Sequence, residues 1–316
     1  MSARGTLLLT GATGFIGRPL AARLAARGWR VVGTTARAVP AEVPGIAAME
    51  RADLTDAASA RALIARVRPN ALVHAAWTTT PGRFWADPAN LAWLEGGIAL
   101  LDAFGAAGGE RAVGLGTCAE YEAGAERLDE ATTPLRPATL YGAAKAALFH
   151  AGTAAAMAHG VSFAWARVFT PYGADEPEGK LVGSVARALL AGRPVETTQG
   201  TQLRDFLHVE DVAEAIAALV DGGVEGPVNV GSGEAVSLRD VIARISALTG
   251  GGERVAFGAR PRPPHDPDSM VAAVERLTRE VGFRPAIPLD EGLARTIAAL
   301  ASRMRHEQTE PEEARP

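Results

Sequence analysis

The sequence predicts an α/β protein built on a doubly wound, mostly parallel sheet. Three observations carry that expectation. A short apolar run, "TLLLT", leads into a glycine-rich turn and then into a stretch with helical apolar spacing. The same strand-then-helix rhythm repeats through the first half of the chain. The connections are short, as parallel crossover units require.

Each element can be justified in order. "TLLLT" is the first strand, and Leu20 and Leu24 among alanines give a helix ended by Gly28. "WRVVGTT" is the second strand and completes a β-α-β unit. "ASARALIARVRP" reads as helix, "NALVHAA" as strand and "PANLAWLEGGIALLDAFGAAG" as helix. "RAVGLGT" is a strand, "YGAAKAALFHAGTAAAMAHG" a helix and "VSFAWARVF" a strand. After Tyr172 the texture changes. "GADEPEGK" is a polar loop and "LVGSVARALLAG" is helical. "PVETTQGTQLRDFLHVEDVAEAIAALV" holds a short strand or hairpin and then a helix. "GPVNVGSG" is a strand, and "SLRDVIARISALTG" is a helix capped by Ser237. "RVAFGARPRPPHDPD", rich in Pro and Arg, reads as irregular. The charged, Pro-containing tail, 305–316, reads as disordered.

The chain has 316 residues, of which 47% are apolar and 22% charged, with a net charge of -4. Nucleic acid is not an expected partner, because such proteins carry a basic stripe. The single cysteine, Cys118, excludes a disulfide within the chain and a Cys-rich zinc site, and no metal site is read. The apolar stretch before Gly11 is too short for a signal-peptide core or a membrane span. The reading is a cytoplasmic, enzyme-like protein with no membrane partner.

"TGATGFIG" at 10–17 lies between a strand and a helix. Gly11, Gly14 and Gly17 allow a tight turn, close approach of backbone N–H groups to a pyrophosphate, and close helix packing. The helix N-terminus adds partial positive charge. This is a Rossmann-type dinucleotide site, with Thr13, Phe15 and Ile16 completing the loop. NAD sites carry an acid about 20 residues on, to hold the ribose 2′-OH. Thr34 and Thr35 stand there instead, and Arg37 follows. An arginine suits a 2′-phosphate, so NADP is favoured over NAD. Asp53 and Leu54 could flank the adenine, or Asp53 could cap the helix that follows.

Tyr141 and Lys145 stand four apart on one face of a helix, a rise of roughly 6 Å. At an effective dielectric of about 20, an ammonium at that distance favours the phenolate by about 2–3 kcal/mol, about two pKa units. That makes tyrosine a usable acid/base. Thr117 closes the preceding strand at its C-terminal end, where open α/β sheets bind ligands. Its hydroxyl can share a substrate oxygen with Tyr141, or can cap the loop.

These residues resemble the extended short-chain dehydrogenase/reductases of the NAD-dependent epimerase/dehydratase family, which act on nucleotide sugars. The resemblance covers nearly all of 5–300. It rests on "TGATGFIG", "DL" at 53–54, "HAA" at 74–76, Thr117 four before Tyr121, "YGAAK", "RVFTPYG", "RDFLHVEDVAEA" and "VNVGSGE". It implies a catalytic set of Thr117, Tyr141 and Lys145. Tyr141 would be the acid/base, Lys145 its pKa tuner and ribose anchor, and Thr117 the carbonyl-oxygen donor. Ala75 and Ala76 of "HAA" join the cofactor contacts. The organisation implied is a dinucleotide-binding part over 1–172 and a smaller, mainly nucleotide-sugar-binding part over 173–304. The strand and helix around 204–235 would return to the first part. Arg204 would approach the substrate diphosphate, with Arg262 as a second clamp. Thr78, Cys118 and Thr170 complete the substrate contacts. Asp205, His208 and Asp211 are expected to organise the loop rather than do chemistry. Homodimers through helices around 88–107 and 140–159 are implied as well.

Departures from the family narrow the reaction. Dehydratases carry Asp-Glu after the active-site Thr, where this chain has Cys118 and Ala119. "VYG" is replaced by Glu120-Tyr121-Glu122. Trp77, Phe84 and Trp85 are candidates to pack against a sugar, or to fill the core or a subunit interface. The expected activity is an NADPH-dependent 4-ketoreductase of a nucleotide-linked 4-keto-6-deoxyhexose. The alternative is an epimerase with tightly held NAD. A third reading, a non-catalytic dinucleotide sensor, would have lost the Tyr-Lys pair that this chain keeps.

Overall fold

Strand β1 (Thr6–Thr10) sends Leu7 and Leu9 to one face of a sheet and Leu8 to the other, and all three are fully buried. A continuous apolar run suits this place because helices cover both faces. The computed structural model describes residues 4–36, 42–263 and 266–309. After β1 come α1 (Gly17–Ala26), β2 (Arg30–Thr35), β3 (Ala48–Arg51), α2 (Ala57–Val67), β4 (Ala71–His74), α3 (Ala89–Ala106), β5 (Arg111–Thr117), α4 (Leu140–His159) and β6 (Ser162–Val168). The second half adds β7 (Thr170–Tyr172), α5 (Leu181–Leu190), β8 (Val195–Thr197), β9 (Leu203–Arg204), β10 (Phe206–His208), α6 (Val209–Asp221) and β11 (Gly226–Val230). Then follow β12 (Val236–Ser237), α7 (Leu238–Thr249), β13 (Val255–Phe257), β14 (Ser269–Met270), α8 (Glu275–Arg279) and α9 (Leu289–Thr309).

Among the described residues, seven parallel strands form one sheet in the order β11-β6-β5-β4-β1-β2-β3. The order reverses between β1 and β4, and in such sheets the crevice outside that point is where ligands bind. Helices α1 and α6 pack on one face, through Leu20, Leu24, Val212, Ile216 and Leu219. Helices α2, α3 and α4 cover the other, through Leu63, Leu100, Phe104 and Leu148.

A second apolar cluster joins α5, α7 and α9 around Tyr172 and Phe206. Small ladders tie this half together: β7 with β10, β8 with β13, and β9 between β12 and β14. Val255–Phe257, expected to be irregular, pairs in parallel with Val195–Thr197. Val255 and Phe257 both pack against the second cluster, and that burial outweighs the Pro-rich sequence that follows. The last helix runs to Thr309, so 305–309 are helical rather than irregular. The apolar face of α9, Leu293, Ile297 and Leu300, docks on the second cluster and carries the helix past its anchoring turns. Residues 310–316 lie outside the described residues.

Candidate active site

The glycine turn sits at the switch point. Gly11 has φ +70°, and a Cβ there would overlap the backbone of Ala75 and Ala76 at the end of β4. A Cβ on Gly17 would overlap the Gly11 carbonyl oxygen. Only glycine allows α1 and β4 to come this close to the turn. Helix α1 begins without a side-chain cap and with no acid in its first turn, so its positive end is left for an anion. This cradle fits the pyrophosphate of a dinucleotide. Thr13 is tied down through its carbonyl, which accepts from Arg18 Nε at 3.0 Å. Ile16 packs into the core, and the Phe15 ring lies beside Gly173 and Val209.

Thr35, at the end of β2, is 8% exposed, and no acid stands beside it in the chain. Arg37, the sequence's candidate for a 2′-phosphate contact, lies outside the described residues. The cap of α2 is Asp56, which accepts from Ala58 and Ser59 N–H at 3.3 and 2.8 Å. Asp53 is therefore not the cap. It is exposed and accepts from Thr55 N–H and Oγ1 at 2.9 and 2.6 Å, and these bonds hold its carboxyl below the usual range. Leu54 is buried where α3 crosses at Gly96.

His74 of "HAA" is a structural residue. Thr10 Oγ1 accepts from the Ala75 and Ala76 N–H groups, both at 3.1 Å, and lies 2.9 Å from His74 Nδ1. The threonine hydroxyl must then donate to Nδ1, which assigns the proton of the neutral ring to Nε2. Burial, with the nearby Lys145 charge, pushes its pKa down to about 3.

Helix α4 starts at Thr139, whose side chain accepts from Gly142 N–H at 3.1 Å. A Cβ on Gly142 would overlap the Ala119 carbonyl oxygen, so the glycine beside Tyr141 lets α4 meet the turn after β5. That turn, Cys118–Glu120, is capped by Thr117, which accepts from Ala119 N–H at 3.2 Å. The Thr117 side chain also lies beside Tyr141. Of the two sequence readings of Thr117, the loop cap is seen directly.

Tyr141 lies in an aromatic box. The rings of Phe84, Trp85 and Trp77 stand edge-on to it, with centroids 4.9, 5.8 and 6.3 Å away. The loop from 78 to 88 thus packs against the tyrosine itself. Phe84 is buried, while Trp85 is 45% exposed. Trp77 also meets the lysine. Its ring centroid lies 4.0 Å from Lys145 Nζ, which donates to the Leu115 carbonyl at 2.7 Å. Trp93 stacks on Trp77 and donates from Nε1 to Thr78 Oγ1 at 3.0 Å.

The electrostatics differ from the expectation that Lys145 holds the tyrosine low. In the protein alone burial dominates and raises the Tyr141 phenol, against the Thr117 hydrogen bond. Burial also brings Lys145 down to about 7, with the Glu120 charge opposing. An i, i+4 argument in a uniform dielectric misses this desolvation.

Cys118 faces the same space, and burial pushes its thiol up to about 11, against the nearby Arg204 charge. Thr170 donates its N–H to the Asp205 carbonyl at 3.0 Å. Arg204 and Arg262, distant in sequence, converge on Asp266. Arg204 is further held by the Leu203 and Pro267 carbonyls at 2.7 and 3.0 Å. Arg262 and Asp266 line a surface cleft of about 670 Å³ with Ala123, Gly124 and Ala138. Asp205, His208 and Asp211 organise loops. Asp205 accepts from Ser232, Gly233 and Ala272, and Asp211 from the Ala286 and Ile287 N–H groups.

Sequence reasoning missed Lys180. Its Nζ lies 4.9 Å from the centroid of Phe84, the ring closest to Tyr141. Burial lowers its pKa and lifts neighbouring Glu176 to about 7. A signal was available: Lys145 and Lys180 are the only lysines in the chain.

A parallel sheet in this order, a glycine cradle at its switch point and a Tyr-Lys helix beside it define an enzyme of the extended short-chain dehydrogenase/reductase type. Residues 7–231 match the NAD dependent epimerase/dehydratase family, and the chain belongs to that family. The UDP-glucose 4-epimerase of Streptomyces lividans is 28% identical over 89% of this chain and 92% of its own length. The dTDP-6-deoxy-L-talose 4-dehydrogenase (NAD(P)(+)) of Kitasatospora kifunensis is 34% identical over 79% of this chain and 80% of its own. The crystal structure of Thermus thermophilus UDP-glucose 4-epimerase in complex with NAD superposes with a TM-score of 0.81, at 30% identity, over 93% of this chain and 98% of that one.

Proposed function

We propose that the protein is a nucleotide-sugar oxidoreductase, an NADPH-dependent 4-ketoreductase of an NDP-4-keto-6-deoxyhexose. The observation that carries the reading is the placing of Thr117 beside Tyr141, with Lys145 one turn further along α4, at the C-terminal end of β5. Cys118 and Ala119 follow Thr117 and supply no acid or base for an elimination. The absence of an acid beside Thr35, with Arg37 next in line, favours NADP. The similarity to a 4-dehydrogenase of a 6-deoxyhexose nucleotide points the same way.

The cofactor would lie over Gly11, Thr13, Gly14, Phe15, Ile16 and Gly17, with Ala75 and Ala76 beneath it. Bound as NADPH, it supplies the hydride. Tyr141 holds the phenolic proton for the sugar C4 oxygen, and its burial keeps that proton in place until the oxygen accepts it. Thr117 hydrogen-bonds the same oxygen. Lys145, held by Leu115 and Trp77, steadies the phenolate that remains. Phe84 and Trp85 exclude water. Arg204 and Arg262 would take the diphosphate, since guanidinium geometry matches phosphate oxygens, and Thr78, Cys118 and Thr170 would line the sugar.

A second reading, an epimerase with tightly held NAD, is favoured by the similarity to UDP-glucose 4-epimerases, one of them bound to NAD. Protein purified without added cofactor, denatured and analysed by mass spectrometry separates the two. Retained NAD overturns the reductase. No retained nucleotide, with NADPH preferred over NADH in titration, supports it. The protein would act as a homodimer through α3 and α4, where Leu91, Ile98 and Met157 are 56%, 37% and 79% exposed.

A further inference from the structure

Behind Thr117 lies a buried ion pair that the proposed chemistry does not use. Glu120 is 0% exposed and Arg167 1%. Glu120 Oε2 accepts from Arg167 Nε at 2.8 Å, and Trp165 Nε1 reaches the two carboxylate oxygens at 3.0 and 3.1 Å. Oε1 also accepts the Thr117 backbone N–H at 2.8 Å. A Cβ on Gly116 would overlap both Glu120 Oε1 and Trp165 Nε1, so β5 leaves room for this cluster. Arg167 Nη1 donates to Tyr121 Oη at 3.0 Å, and Tyr121 Oη donates to Asn229 Oδ1 at 2.8 Å.

Two charges taken out of water are rarely the most stable filling for such a space. This pair lies against the site. Glu120 holds the backbone of Thr117, whose side chain lies beside Tyr141. Lys145 Nζ lies 6.0 Å from the centre of the Trp165 ring that bonds Glu120. The charged and titratable groups facing Glu120 are Arg167 from β6, Tyr141 and Lys145 from α4, and Cys118 and Tyr121 from its own turn.

We propose that Glu120 and Arg167 are positioning residues: their buried pair, joined by Trp165, fixes the turn that carries Thr117 and places the Glu120 charge beside the Tyr141 and Lys145 site. The proposal rests on the reading of those two as the working groups. A carboxylate favours the protonated form of both, and a guanidinium the deprotonated form. Glu120 is the charge that acts on Lys145 against burial. Loss of Glu120 therefore lowers the Lys145 midpoint.

The chain's two lysines make a direct test. The full-length protein, without cofactor, is labelled with [ε-13C]lysine and titrated by NMR, with K180R assigning the two signals. E120Q, which keeps an acceptor for Thr117, is expected to lower the Lys145 midpoint by about one pH unit or more. If E120Q fails to fold, E120Q/R167M removes both charges and is expected to lower the midpoint as well. A Lys145 midpoint unchanged or raised in the folded variant overturns the proposal. The titration needs no turnover. A lowered midpoint in E120Q, in a protein inactive on every 4-keto sugar nucleotide, would sink the reductase reading and support the charge pair. Active enzyme with unshifted midpoints would do the reverse.

Discussion

Lys145→Met has a consequence whose size follows from burial. Lys145 ordinarily titrates near 10.5, and burial holds it at about 7 in the folded protein. The unfolded chain therefore binds more protons than the folded one between those values, and stability rises with pH across the window. Integrated from pH 7 to 9, this one group contributes about 2 kcal/mol. Two other buried groups pull the opposite way near the edges of the range. Glu176, lifted to about 7, has lost most of its contribution by pH 7. Cys118, lifted to about 11, loses stability chiefly above pH 9. Both remain in the variant and cancel in the difference. Urea unfolding followed by far-UV circular dichroism, for wild type and K145M at pH 7 and 9, measures that difference. The wild type is expected to gain about 2 kcal/mol on K145M between the two pH values. Parallel behaviour would mean that Lys145 keeps an ordinary affinity for its proton, and the reasoning from burial fails.

Three further outcomes are expected. Tyr141→Phe removes the proton held for the sugar oxygen and should lower kcat by about 10²–10⁴-fold while cofactor affinity, read by fluorescence titration, is retained; unchanged turnover would sink the catalytic account. Asp205→Asn puts an N–H where Asp205 accepts from Ser232 N–H at 2.6 Å or from Gly233 N–H at 2.9 Å, and should cost about 2–4 kcal/mol in urea unfolding, so an unmoved midpoint refutes the assignment. The Cys118 thiol, pushed up to about 11, should hold about 100-fold less thiolate near neutrality than a free cysteine, and rapid labelling by iodoacetamide at pH 7.5 would contradict its burial.

Much of the fold is legible along the chain because its signals are local. "TLLLT", the turn from Gly11 to Gly17 and the spacing of Leu20 and Leu24 state strand, cradle and helix within one short stretch. Ser237 caps its helix as its sequence context says, accepting from Asp240 N–H at 3.0 Å. Tyr141 and Lys145 are paired by helical periodicity alone, and Thr117 by its place at a strand end. The parallel arrangement follows from the order of elements.

Other features were settled only by packing between distant segments. Asp53 precedes α2 in the sequence, but the backbone puts Asp56 at the cap of its first turn. Val255–Phe257 becomes a strand because β8 lies alongside it. Trp77, Phe84 and Trp85, which pack on Tyr141, and Trp77, which also meets Lys145, come from a segment more than 50 positions earlier. Glu120 reads in sequence as an ordinary charge beside a strand. It becomes a fully buried anion only when β6 places Arg167 and Trp165 against it. The sheet, the glycine cradle and the Tyr141–Lys145 pairing could be read along the chain, because periodicity and glycine placement act over a few residues. The proton affinities needed the folded protein, because burial and charge pairing depend on side chains far apart in the chain.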